Sequence, residues 1–74
     1  MRKRLLDLFK RTFELEIVDE TISKTNCHKW DSLNHLNLVV EIENEFNISL
    51  EPNEIGEIKD FLSAERIIME KVNL

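Results

Sequence analysis

The 74 residues predict an all-α fold: a four-helix bundle with a short third helix and a long loop between helices one and two. Three observations carry this. A single glycine and a single proline favour long regular elements over a turn-rich β fold. Apolar residues recur at helical spacing along most of the chain. A hydrophobic fraction of 42% suffices for one core but not two, so residues 1–74 are read as a single domain.

Each element has its own signature. Leu5, Leu6, Leu8, Phe9 and Phe13 form a stripe interrupted by Asp7, Lys10, Arg11 and Thr12, which makes residues 3–15 helix one. Residues 16–31 lose the period and carry Thr, Ser, Asn and Asp, types that favour turns. Ile17, Val18 and Ile22 are expected to pin this loop to the core, and Trp30 to pack its end onto the bundle. Helix two runs from Ser32 to Phe46. At ~100° per residue its Leu38, Val39, Ile42 and Phe46 share one side with His35, a core face. Leu33, Leu36 and Val40 form a second stripe roughly 90° away, continued by Glu43. Asn34, Asn37, Glu41, Asn44 and Glu45 fill the remaining arc. Leu50-Glu51-Pro52 breaks the chain, and Pro52 suits the first position of a short helix ending near Ile58. Asp60 is the expected N-cap of a last helix through Phe61, Leu62, Ile67, Ile68 and Val72.

Composition excludes several classes. One cysteine allows no intramolecular disulfide and fits a reducing compartment. No apolar run approaches membrane-spanning length, and Met1-Arg2-Lys3-Arg4 is not followed by a signal-peptide core, so a cytoplasmic protein without stable membrane insertion is expected. Residues 1–11 hold Arg2, Lys3, Arg4, Lys10 and Arg11 against Asp7; residues 12–74 hold five basic and 14 acidic side chains, a net of −9. An acidic body repels nucleic acid and attracts basic partners. The basic cluster reads as the solvated face of helix one, with a phosphate- or membrane-binding helix over Met1 to Phe13 as a weaker alternative. Cys27-His28 has the look of a ligand pair, but one Cys and two His do not complete a zinc set, so no metal site is read.

Trp30-Asp31-Ser32-Leu33-Asn34 is the most informative stretch. It sets a serine hydroxyl at the head of helix two, where first-turn N–H groups and the positive end of the helix dipole favour negative charge. On periodicity alone an ordinary N-cap serine, worth about 1 kcal/mol, is the favoured reading. His35 stands three residues on, but without a third orienting group or an oxyanion element no hydrolytic dyad is read, and His35 is assigned to the core edge, packed or hydrogen-bonded there.

The segment WDSLNHLNLVVEIENEFNISL resembles the heart of an acyl carrier protein, and the likeness extends over nearly the whole chain. It implies an acyl-carrier-like bundle that is not itself an enzyme. Its cofactor would be phosphopantetheine, taken from coenzyme A and esterified to Ser32 by a separate Mg²⁺-dependent phosphopantetheinyl transferase. Acyl or aminoacyl intermediates would ride on it as thioesters in fatty acid, polyketide, nonribosomal peptide or cell-surface polymer biosynthesis. By the same likeness Asp31 meets basic residues of the transferase, a role compatible with its ordinary reading as a capping or helix-dipole acid, and Leu33 lies beside the arm. Leu36, Val40, Glu41 and Glu43 would dock acyl-activating and acyl-transferring enzymes onto a monomer.

Asn34, Asn37 and Asn44 stand where fatty-acid carriers are commonly acidic, which points to a specialised rather than a housekeeping member. Leu33, Leu36, Val40, Ile55, Ile58 and Phe61 are expected to line the space below Ser32, and their bulk implies short or polar cargo. The competing class is a helical interaction module without a prosthetic group, in which Ser32 only caps and Leu33, Leu36 and Val40 bind one partner.

Overall fold

The computed structural model describes residues 1–72. Among them are four helices, α1 (Arg2–Thr12), α2 (Ser32–Phe46), α3 (Pro52–Glu57) and α4 (Phe61–Val72). The bundle, its short third helix and its long first loop are as the pattern predicts. Helix α2 matches at both ends because both ends carry stop signals. Asp31 caps the start, and Asn47 adopts the left-handed conformation at the end, donating its N–H to the Glu43 carbonyl.

Helix α1 departs from expectation. It closes at Thr12 rather than running to residue 15, because Glu14 turns left-handed (φ 53°) and the Leu15 N–H reaches back to the Lys10 carbonyl at 2.9 Å. Phe13 stays fully buried as the cap residue, so the apolar period outlasts the helix.

The loop that follows is pinned midway by Ile22 and at its end by Trp30. Ile22 is buried, and its carbonyl accepts the Phe61 N–H at 3.0 Å while Lys24 N–H bonds the Lys59 carbonyl at 2.9 Å, which fastens the loop to the start of α4. Trp30 packs on Phe9 and Phe13, with ring centroids 5.6 and 5.1 Å apart. Val18 packs against the core, but Ile17 is 86% exposed and pins nothing. Asp60 caps α4 as expected, accepting the Ser63 N–H at 2.7 Å.

The core is a stack of Leu5, Leu8, Phe9, Leu38, Ile42, Phe61, Ile67 and Ile68 side chains contributed by α1, α2 and α4. Around it runs a polar seam that the charge pattern did not disclose. Arg2 meets Glu65 at 2.7 Å, Arg4 meets Glu45 at 3.1 Å and Arg11 meets Glu41 at 2.9 Å. Three of the five basic side chains near the start of the chain thus bind α1 to α2 and α4 instead of forming a purely solvated face. Such exposed pairs are individually weak, so their effect is on alignment more than on total stability. No helix among the described residues is long and apolar enough to cross a membrane.

Candidate functional site

The head of α2 is built by Asp31. Its extended backbone (φ −99°, ψ −176°) lets the side chain fold over the first turn, where Oδ1 accepts the Asn34 N–H at 2.8 Å. Its carbonyl accepts the His35 N–H at 2.8 Å. Asp31 is therefore the N-cap, the capping role expected of an acid just before the helix, and Ser32 is not: adjacent Asp and Ser are both capping types, and only the backbone decides between them. Ser32 is the first helical residue. Its side chain is exposed, and its Oγ has no hydrogen-bond partner among the described residues.

Asn34 completes the turn. Its Nδ2 donates to the Lys29 carbonyl at 2.8 Å, and its Oδ1 accepts from Asn37 Nδ2 at 3.1 Å. A carboxylate has no N–H to give a carbonyl. An amide at position 34 thus has a local structural reason.

His35 turns inward, away from catalysis. Its Nδ1 accepts the Trp30 indole N–H at 3.0 Å, and its Nε2 lies 2.9 Å from the Ile55 carbonyl of α3. The indole can only donate and the carbonyl can only accept, so the imidazole is neutral with its proton on Nε2. Both nitrogens are occupied, and His35 is unable to act as a base toward Ser32. The hydrogen-bonded core-edge reading holds, and the structure adds the partners, Trp30 and the Ile55 carbonyl; a backbone carbonyl partner leaves no trace in residue identities.

On the outward side of α2, Leu33, Leu36 and Val40 are 69%, 58% and 53% exposed. They form an apolar strip below Ser32 on the solvent side. The two acids assigned with them are already engaged: Glu41 accepts from Arg11 at 2.9 Å, and Glu43 accepts the Leu50 N–H at 2.8 Å. The expected cargo lining is not a single surface. Leu33, Leu36 and Val40 face solvent, whereas Ile58 and Phe61 are fully buried and Ile55 is half-buried against the core. Their helical spacing was read correctly, but spacing alone does not say which side α3 covers. Of the Cys27-His28 pair, Cys27 is buried and His28 is exposed.

Helix α3 is held lightly. None of its six residues is buried, and its placement depends on bonds at its edges. One is the His35 contact to Ile55. Another is Glu54, whose carboxylate accepts the Glu51 N–H and pairs with Lys71 of α4 at 2.9 Å, which together hold its carboxyl below the usual range.

No family model matches the sequence, and no curated protein matches it at a significant level. Among solved structures, the chain is similar to an acyl carrier protein from Thermotoga maritima. The two share 26% identity and superimpose with a TM-score of 0.77, over 97% of this chain and 91% of that one.

Proposed function

We propose that this chain, a member of the acyl carrier protein family, carries acyl or aminoacyl groups as thioesters on a phosphopantetheine arm esterified to Ser32. The division of labour at the head of α2 carries the proposal. Asp31 does the capping, so the exposed Ser32 hydroxyl has no structural bond to lose when it is modified. A phosphodiester there sits at the first turn of a 15-residue helix, where the dipole favours negative charge.

Ser32 supplies the acceptor oxygen: its bond to the phosphorus of the phosphopantetheine arm forms as the pyrophosphate bond of coenzyme A breaks, adenosine 3′,5′-bisphosphate leaves, and the hydroxyl proton passes to the transferase, whose metal and positioning groups assist. The arm, once bound, supplies a thiol that holds acyl groups as transferable thioesters. Asp31 offers a carboxylate to basic groups of the transferase, and Leu33, Leu36 and Val40 offer an apolar strip to it and to acyl-activating and acyl-transferring enzymes. Glu41 and Glu43, held by Arg11 and Leu50, flank that strip as secondary contacts. The chain is a substrate and carrier, not a catalyst, and acts as a cytoplasmic monomer. Asn34, Asn37 and Asn44 leave the docking helix less acidic than in a general fatty-acid carrier. That supports a dedicated pathway, such as aminoacyl or D-alanyl transfer, surface-polymer modification, or polyketide or nonribosomal peptide synthesis.

Thiol counting tests the proposal. The one cysteine, Cys27, is only 8% exposed, so the native protein should react slowly with a thiol reagent. After incubation with coenzyme A and a broad-specificity transferase, one fast-reacting thiol should appear, and Ser32→Ala should gain none. A wild type that gains no fast thiol, under conditions that load a known carrier, favours the interaction-module reading instead.

A further inference from the structure

We propose that His35 is a positioning residue for Ser32, holding the acceptor turn and helix α3 in one arrangement through a hydrogen-bond chain from the Trp30 indole to the Ile55 carbonyl. The proposal rests on Ser32 being the acceptor. Trp30 and His35 bracket the exposed Asp31-Ser32-Leu33 segment, and both are buried, so the segment is fastened at each end and presented between. Within it, the Asp31 cap on Asn34 and the Asn34 bond to Lys29 remove further freedom.

The chain of bonds needs one group that accepts at one end and donates at the other. A neutral imidazole does this, and its ring lies nearly in line with the plane of the indole, with centroids 6.2 Å apart and planes at 22°, as an N–H···N bond between ring edges requires. A purely apolar replacement strands a buried indole N–H and a carbonyl together. Because α3 buries no residue of its own, losing the Ile55 bond loosens α3 as well as Trp30. A transferase that grips the acceptor turn then meets a mobile hydroxyl, and misplacement of about 1 Å costs up to roughly 100-fold in rate.

The experiment compares kcat/KM for arm transfer onto wild type, His35→Leu, His35→Gln and Trp30→Phe, each assayed well below its own melting temperature. Trp30→Phe keeps an aromatic ring and removes only the N–H donor. His35→Gln keeps one acceptor and one donor. The expected result is a loss of roughly 10- to 100-fold for His35→Leu and Trp30→Phe, with His35→Gln restored to within about threefold of wild type. Wild-type rates in folded Trp30→Phe, or a His35→Gln as slow as His35→Leu, overturn the proposal.

Amide hydrogen exchange gives a second readout that needs no transferase. Exchange at Leu33 to His35 and Asn53 to Ile58 should rise about tenfold in Trp30→Phe and His35→Leu and fall back in His35→Gln. If the wild type takes no arm, the acceptor reading fails by itself, and unchanged exchange in Trp30→Phe and His35→Leu then removes the positioning role too.

Discussion

The two apolar sides of α2 are built from similar residues and meet opposite fates. Leu38, Val39 and Ile42 are buried in the core with His35, while Leu33, Leu36 and Val40, one strip around the same helix, lie in solvent. Hydrophobicity did not decide this; the neighbours did. Helix α1 packs along one side, and the six-residue α3 is too short to cover the other. The contrast teaches that the inward side holds the fold while the outward side stays in solvent, which is where the proposed docking of other proteins would fall, with the exposed Ser32 at its head.

The hardest way to break that contrast is to put a charge on each side. Ile42→Asp buries an unpaired carboxylate and should cost about 4 kcal/mol or more, enough to unfold a domain of this size. Leu36→Asp should shift stability by no more than about 0.5 kcal/mol. Thermal melts followed by circular dichroism decide it: equal losses would make Leu36 a core residue and end the docking argument.

A smaller effect sharpens the comparison at the helix head. Asp31→Ala removes the cap and should lose about 1 kcal/mol, whereas Ser32→Ala removes a hydroxyl that bonds nothing among the described residues and should stay within about 0.5 kcal/mol. Denaturant titration separates the two. The reverse order would return Ser32 to an ordinary capping role.

The smallest expected effect lies in the polar seam of α1. The Arg2 guanidinium, bonded to Glu65, holds that carboxyl below its ordinary value. A group depressed in the folded state stabilises it above the unfolded carboxylate value, and that stability is lost as pH falls through the folded value. Glu65→Gln should therefore flatten the acid limb of the stability curve while leaving the outward side of α2 unchanged. An acid limb unaltered by Glu65→Gln would show the pair to be without thermodynamic weight.

Sequence reading reached as far as local physics reaches. The bounds of α2, the Pro52 start of α3 and the Asp60 cap of α4 were legible because each depends on residues within a few positions. The end of α1 was not, since Phe13 and Leu15 continue the apolar period past the left-handed turn at Glu14. Ile17 misled for a related reason: hydrophobic type says nothing about whether a neighbour exists to cover it. The ion pairs Arg2–Glu65, Arg4–Glu45 and Arg11–Glu41 span 30 to 63 residues and were invisible in a charge count. At the candidate site, the helix start at Ser32 was legible through its local sequence and the exposed strip through its spacing. The choice of Asp31 over Ser32 as the cap, and the identity of the His35 partners, Trp30 and Ile55, needed the fold.

Intact mass after incubation with coenzyme A and a broad-specificity transferase tests the central claim most directly, with wild type and Ser32→Ala run side by side and both verified as helical. The account predicts a single phosphopantetheine increment on wild type and none on Ser32→Ala. An increment retained by Ser32→Ala, or a wild type left unmodified while a known carrier loads fully, would contradict it.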